Sequence, residues 1–131
     1  MKSSPKAKSA IDALGIIAGS GPGPVSLALV AGDLGLSISY LEQIFSTLRR
    51  AGLVASVRGP GGGYRLASSA DSITLANVSV LFDGSSERAG RGPHMAFWGD
   101  LHRDVSTILA RRTLADVVAG ADRGQAGHTA A

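Results

Sequence analysis

The sequence predicts a mainly α-helical fold with one small β-hairpin, and three observations support this. Apolar residues recur at helical spacing in several stretches of the chain. A short glycine-containing corner, Gly35–Ser37, separates two of these stretches. A glycine-rich tip, Gly59–Gly63, lies between two strand-like runs. With 131 residues, 44% of them hydrophobic, the chain suits one compact domain with a core.

The first two helices are separated by the breaker segment GSGPGP at 19–24. Residues 6–18 have helical periodicity, and the predicted buried face contains Ala7, Ala10, Ile11, Leu14, Ile17 and Ala18. Ser26 is placed to cap a short second helix that Gly35 ends.

The third segment, Ser37–Gly52, has the clearest helical pattern in the chain. Its predicted apolar stripe comprises Ile38, Leu41, Ile44, Phe45 and Leu48. Ser39 and Glu42 have the S-x-x-E spacing of a capping box, and Gly52 is placed to end the helix. A short helix, a glycine-containing turn and a second helix form a helix-turn-helix pattern.

A hairpin follows this pair of helices. Leu53–Arg58 and Tyr64–Ala67 are predicted strands, joined by a tip that Pro60 stiffens. Tyr64 and Leu66 are expected to anchor the hairpin to the core. A helix-turn-helix followed at once by a hairpin is the plan of a winged helix-turn-helix.

The C-terminal half is predicted to be helical around a polar loop at 83–93, a length typical of functional or mobile segments. Thr74 caps the helix before it, and a long helix runs from about Met95 to Arg112. Thr113 and Asp116 cap a short final helix, and the tail from residue 120 is predicted to be flexible.

The long helix has an apolar stripe comprising Phe97, Trp98, Leu101, Val105, Ile108 and Leu109. Phe97, Trp98 and Leu101 are expected to pack in a core or across a dimer seam, with an aromatic ligand pocket as a minor alternative. The chain accordingly divides into a winged helix-turn-helix region at 1–70, a linker helix, loop and later helices at 71–119, and a tail at 120–131.

The outward face of the Ser37–Gly52 helix carries hydrogen-bonding groups suited to DNA base edges. It comprises Ser39, Tyr40, Glu42, Gln43, Ser46, Thr47, Arg49 and Arg50. Gln can pair with adenine, and Glu can accept from cytosine, in the major groove. The alternative is an ordinary solvated face, but the winged-helix context favours DNA binding.

Basic residues in the first half of the chain predict a phosphate-binding face. They are Lys6, Lys8, Arg49, Arg50, Arg58 and Arg65. The net charge of +3 is compatible with a nucleic-acid partner. Each of these residues could equally be a solvated charge.

Other functional classes lack candidate residues. The glycine-rich tip has no P-loop pattern and a strand follows it, so it does not predict a phosphate cradle or an enzyme. The chain has no cysteine, which excludes disulfides and thiolate sites. Only a weak metal-ligand set is present, comprising Glu87, His94, Asp100, His102 and Asp104. No apolar run is long enough to span a membrane, so we expect a cytoplasmic protein.

The run from Ser37 to Ala67, SISYLEQIFSTLRRAGLVASVRGPGGGYRLA, resembles the signature of the Rrf2 family of bacterial winged-helix transcription regulators. Weaker similarity covers most of the chain. The resemblance implies a homodimer on a palindromic operator, with one helix in the major groove and the wing in the adjacent minor groove. It implies a dimer seam along the long helix.

The resemblance also implies which residues bind DNA. The helix contacts are Ser39, Tyr40, Glu42 and Gln43; the wing contacts are Arg58, Gly59, Pro60, Gly61, Gly62 and Gly63. In IscR-like members, the glutamate that matches Glu42 also tunes which DNA motif is accepted.

One departure from the family concerns its cofactor. IscR-like members hold an iron–sulfur cluster through three cysteines before the long helix, whereas this chain has none. A conventional cluster is therefore excluded, and two explanations stay open. The chain is cluster-free, as CymR-like members are, or its cysteines were replaced, with Ala89 as one such position. Ser9 is a second departure, because many relatives have tyrosine there.

The sequence thus predicts a sequence-specific DNA-binding regulator, a repressor acting as a homodimer, and no enzyme. Two alternatives remain: a regulator gated by a small molecule or partner protein through the 83–93 loop, and a winged-helix module that binds proteins instead of DNA.

Overall fold

A computed structural model describes residues 5–83 and 92–129, with side chains up to residue 121. The elements in chain order are α1 (Pro5–Gly19), α2 (Leu27–Leu34), α3 (Ile38–Arg50), β1 (Val54–Val57), β2 (Gly63–Leu66), a 3-10 helix (Ala70–Ser72), α4 (Leu75–Asp83), α5 (Met95–Arg111) and α6 (Leu114–Thr129). The predicted mainly α fold with one hairpin is confirmed. Most of the predicted 83–93 loop lies outside the described residues.

The corner between α2 and α3 forms the predicted helix-turn-helix. The Ser26 hydroxyl accepts a hydrogen bond from the Leu29 N–H and caps α2. Gly35 ends the helix in the left-handed conformation, at φ 68°. The two helices turn through 119° at this corner, close to the angle typical of the motif.

The N-cap of α3 is Ser37, so the predicted capping box of Ser39 and Glu42 is wrong. Ser37 has extended backbone, and its hydroxyl accepts from the Tyr40 N–H at 3.1 Å. Ser39 already lies inside the helix, where its side chain cannot cap. Ser39 and Glu42 are both exposed and thus remain on the outer face.

The C-terminus of α3 is locked by a Schellman motif. The Leu53 N–H donates to the Leu48 carbonyl, and the Gly52 N–H donates to the Arg49 carbonyl. Gly52 has φ 79°, which glycine adopts without the strain that a Cβ imposes. Gly52 therefore ends the helix as predicted, and the chain turns there into β1.

The hairpin is antiparallel and is tied to the preceding loop. Val54 pairs with Leu66, and Val57 with Gly63, at the two ends of the register. Val25 adds one further pairing: it exchanges two backbone hydrogen bonds with Tyr64, of 2.8 and 2.9 Å. β2 is therefore hydrogen-bonded along both edges, to β1 on one side and, at Tyr64, to Val25 on the other.

The core lies between α1, α3 and the start of the hairpin. Ala10, Leu14, Leu41, Ile44, Phe45, Leu48 and Val54 are among its buried members. The Phe45 and Tyr64 rings pack with centroids 4.8 Å apart, and Leu66 also packs against the core. The predicted anchoring of the hairpin is confirmed. Ile38, predicted in the buried stripe, is exposed because it lies at the first turn beside the corner.

A backbone bridge ties the segment between α5 and α6 to the start of α4. The Leu75 N–H donates to the Arg112 carbonyl, and the Leu114 N–H donates to the Ile73 carbonyl. Both Ile73 and Leu114 are fully buried. The segment between α5 and α6 is therefore fixed to the start of α4.

Two predicted caps are present beside this bridge. The Thr74 hydroxyl accepts from the Asn77 N–H, and the Asn77 side chain accepts from the Thr74 N–H. The Asp116 carboxylate accepts from the Thr113 N–H at 2.9 Å. The helix that follows is longer than expected: α6 continues to Thr129, so most of the predicted tail is helical.

Gly15 permits the close packing of α6 on α1. A Cβ at this position would lie 2.9 Å from a methyl group of Val117. No single helix in the described residues is long and apolar enough to cross a membrane. α2 and α3 pass that test only as a bent pair, by length and composition.

Candidate nucleic-acid interface

The outward face of α3 forms an open surface depression, with Lys6 of α1 at its edge. The residues that line it are Lys6, Ser39, Glu42, Gln43, Ser46, Thr47 and Arg50. Six of these seven lie on successive turns of α3, whose opposite face is buried in the core. The core therefore fixes the orientation of the predicted reading face.

Two of the predicted helix contacts have different surroundings. Gln43 is exposed, whereas Tyr40 is half-buried and packs against the core. Tyr40 thus has a structural contact in addition to the DNA contact that the family resemblance implies.

The two predicted lysines of α1 differ in their partners. The Lys8 ammonium lies 2.8 Å from the Asp12 carboxylate, one helical turn away. The hydrogen bond and charge of Asp12 raise the pKa of Lys8 above its ordinary value. Lys6 has no ion-pair partner in the part of the chain that the structure describes, and it borders the depression. Lys6 is therefore the better placed of the two for a phosphate.

The glycines of the wing fall into two groups. Gly59 and Gly61 have positive φ, 97° and 74°, with open space where a side chain would project. Gly62 and Gly63 have no such space: a Cβ would lie 2.2 Å from the Val57 and Val25 carbonyl oxygens, respectively. Gly59 and Gly61 shape the exposed tip, whereas Gly62 and Gly63 allow backbone to pack on backbone.

Positive charge is concentrated in the reading helix and the wing. Residues 43–70 contain Arg49, Arg50, Arg58 and Arg65 and no acidic residue. Since the chain has 13 basic and 10 acidic residues, the rest carries nine against ten. All four arginines are exposed. The basic excess of the molecule thus lies in the segment that contains most of α3 and the wing, which suits a polyanion-binding region.

The apolar stripe of α5 is not buried in the core of this chain. No residue of α5 is buried, and Phe97, Trp98 and Ile108 are 59%, 49% and 46% exposed. Leu101, Val105 and Leu109 are half-buried. The Phe97 and Trp98 rings contact each other edge to face at 5.1 Å. Phe97 and Trp98 therefore do not pack in the core of this chain. The dimer seam and the aromatic ligand pocket both stay predictions.

One residue that positions the wing has no signal in the local sequence pattern. Val25 lies between the breaker segment at 19–24 and the Ser26 cap and belongs to no predicted element, yet it pairs with Tyr64 of the wing. The described residues contain no group of three or more His, Asp or Glu that could hold a metal ion.

A helix-turn-helix with an exposed polar reading face, followed by a basic glycine-tipped wing, defines a winged helix-turn-helix transcription regulator. The Rrf2 family model, described as an iron-dependent transcriptional regulator, matches residues 3–120. The chain therefore belongs to the Rrf2 family.

Curated relatives and solved structures agree with this assignment. The HTH-type transcriptional regulator IscR of Vibrio campbellii is 41% identical over 130 residues, covering 90% of this chain and 77% of the relative. B. subtilis CymR, described as the global cysteine regulator, superposes with a TM-score of 0.83 at 33% identity, covering 91% and 97% of the two chains. T. potens IscR gives 0.82 at 36% identity, covering 95% and 91%.

Proposed function

We propose that this regulator binds a palindromic operator with α3 in the major groove and the wing tip in the adjacent minor groove. The observation that carries the proposal is the concentration of unpaired positive charge at 43–70 around an exposed hydrogen-bonding face. Gln43 and Glu42 read base edges, while Lys6 and Arg50 contact phosphates. Arg58 enters the minor groove, whose negative potential attracts arginine.

The binding unit is a homodimer joined along α5. An unburied stripe that includes Phe97, Trp98 and Ile108 is a large apolar surface for one helix, and such surfaces mark interaction sites. A second copy of the chain offers the same stripe, so a two-fold seam covers both at once. A two-fold dimer in turn predicts two operator half-sites. Repression follows if the operator overlaps a promoter, and the protein acts in the cytoplasm.

Regulation proceeds without a thiolate-held cluster. The family description implies iron, but iron–sulfur clusters are held by cysteine thiolates and the chain has no cysteine. The available donors do not fit the group. The signal is instead a small molecule or partner protein that contacts the 83–93 segment or α5.

The first test replaces Arg58 with Ala, using the duplex that the wild-type protein selects from random-sequence DNA. We expect weaker binding by about 1.5–3 kcal/mol per subunit, because a charged contact is lost. The unfolding midpoint should stay unchanged, since Arg58 is exposed. Arg103→Ala on α5 serves as the control, because Arg103 pairs with Asp100 away from the wing. Unchanged affinity of the Arg58 variant at fixed salt contradicts its role.

The second test addresses base reading. Replacing Gln43 with Ala should relax selection at one position of each half-site, by about 1–3 kcal/mol. Repeating the selection with the variant measures this directly. An identical consensus would remove Gln43 from the reading set.

The third test addresses the cofactor. We expect anaerobic incubation with iron and sulfide to leave the protein without the visible absorption of a cluster and with unchanged operator affinity. A stable iron-loaded form with altered DNA affinity would overturn this part of the proposal.

A further inference from the structure

The outer face of the wing carries Arg65, which the sequence places among the basic residues of a phosphate-binding face but to which the proposed binding mode assigns no contact. Side chains alternate along a strand, and Tyr64 and Leu66 pack toward the core. Arg65 lies between them and therefore points to the opposite face, directly across from Ala55. It is exposed, and no ion pair to it occurs among the described residues.

Small residues surround Arg65 on this outer face. Its cross-strand neighbour is Ala55, and Gly63 and Ala67 lie two positions away along the chain. Val57 completes the same face diagonally across the ladder. No long side chain on this part of the hairpin stands between the guanidinium and an approaching polymer backbone.

The position of Arg65 along the hairpin keeps it behind an inserted tip. Arg65 lies two residues behind the last strand pair, Val57–Gly63, which is about 7 Å at the usual strand rise, and residues 58–62 extend beyond that pair. The minor groove is about 7.5 Å deep. When the tip fills the groove, Arg65 therefore stays outside it, at the height of the backbone phosphates and not of the base edges.

The two faces of the hairpin are turned toward opposite walls of the groove. The core-side face is turned toward α3, where Tyr64 packs on Phe45, and α3 occupies the neighbouring major groove in the proposed binding mode. The outer face is turned away from α3, toward the other wall. A cation on that face meets a phosphate outside the contacts already assigned.

We propose that Arg65 binds a backbone phosphate at the rim of the minor groove, on the wall away from α3. This contact extends the footprint of each subunit beyond the wing tip and contributes to affinity without reading sequence. The inference rests on the proposed function, because it requires the wing to enter the minor groove.

The test compares Arg65→Leu, Arg65→Lys and the charge-matched control Arg111→Leu on the duplex selected by the wild-type protein. We expect Arg65→Leu to bind roughly tenfold more weakly at physiological salt. Its plot of log affinity against log salt should be shallower by about 0.9 for each lost phosphate, or about 1.8 per dimer. Arg65→Lys should keep the wild-type slope, and Arg111→Leu should keep both affinity and slope.

A second readout separates a specific contact from general electrostatics. Replacing single rim phosphates by neutral methylphosphonates should weaken wild-type binding at one position per half-site and leave Arg65→Leu unaffected there. The selected consensus and the unfolding midpoint of Arg65→Leu should match the wild type.

Two results overturn the inference while leaving the proposed function intact. One is wild-type affinity and slope for Arg65→Leu; the other is a changed base preference with an unchanged slope, which would make Arg65 a base contact. Failure of the wild-type protein to bind any duplex in a salt-dependent way would instead overturn the proposed function.

Discussion

α3 and α5 are both amphipathic helices, of 13 and 17 residues, but their apolar faces differ in how far they are buried. α3 buries Leu41, Ile44, Phe45 and Leu48, each at most 1% exposed. α5 buries none of its residues. The same periodic pattern therefore specifies a helix and its apolar face, while leaving open which surface covers that face.

The difference follows from what fixes each helix. α3 is capped at Ser37, closed by the Schellman turn at Gly52, and covered by Tyr64 as the hairpin returns. α5 packs on α4 and is next fixed at Arg112, where the bridge to Leu75 begins. α3 belongs to a packed body, whereas α5 leaves Phe97, Trp98 and Ile108 of its stripe exposed.

The largest expected effect is on stability and compares one aromatic from each helix. Phe45→Ala should destabilise the fold by about 3–5 kcal/mol, because it opens a cavity in the core. Trp98→Ala should change the unfolding free energy of the dilute monomer by less than about 0.5 kcal/mol, since its side chain is already exposed. Denaturant unfolding at low protein concentration measures both.

The same Trp98 variant should instead impair self-association. Sedimentation at increasing concentration is expected to show dimer for wild type and for the control Leu29→Ala, an exposed apolar residue outside α5. A monomer for Trp98→Ala supports the seam, while an unperturbed dimer would assign the seam to another surface.

The wing offers a second comparison, between a packed and an open glycine. Gly63→Ala should cost about 2–3 kcal/mol, because its Cβ would meet the Val25 carbonyl and disrupt the bridge to Tyr64. Gly61→Ala faces open space and should cost only about 1 kcal/mol, from its positive φ. Thermal unfolding ranks the two, and equal costs would refute the claim that Val25 holds the wing.

A third comparison tests whether α6 belongs to the packed body. Gly15→Leu should cost about 1–2 kcal/mol, because it forces α6 away at Val117. Gly32→Ala lies in α2 with open space around it and should stabilise by about 0.5–1 kcal/mol through helix propensity. If Gly15→Leu is neutral, α6 is not held against α1.

The smallest effect distinguishes the two serines at the start of α3. Ser37→Ala should cost about 1 kcal/mol, because it removes the cap on Tyr40. Ser39→Ala should leave stability nearly unchanged and alter DNA affinity alone. A chemical denaturation series on both variants decides which serine is the cap.

Local patterns were sufficient for α1 to α5, the corner between α2 and α3 and the hairpin, because caps, glycines and periodicity act over a few residues. They did not show how far α6 continues. They placed the cap of α3 wrongly, since Ser37 and Ser39 are chemically identical and two residues apart. They also placed Ile38 in the core, because periodicity does not show where a helix meets its corner.

Long-range contacts could not be predicted in this way. The pairing of Val25 with Tyr64 joins residues 39 positions apart, and the approach of Val117 to Gly15 joins the two ends of the chain. Nothing in the neighbouring sequence encodes either partner. For the site, the sequence indicated the exposed face of α3 and Arg58. The difference between Lys6 and Lys8 follows from a local pair, because Lys8 and Asp12 have the i, i+4 spacing of a helical ion pair.

The central claim is that the basic, polar face formed by α3 and the wing binds specific DNA through many phosphates. The most direct measurement is the affinity of the wild-type protein for its selected duplex, and for a scrambled duplex, as salt rises from about 50 to about 200 mM. We predict a loss of about a thousandfold or more across this range and a clear preference for the selected sequence throughout. Affinity that barely changes with salt, or that is equal on the two duplexes, would contradict the claim.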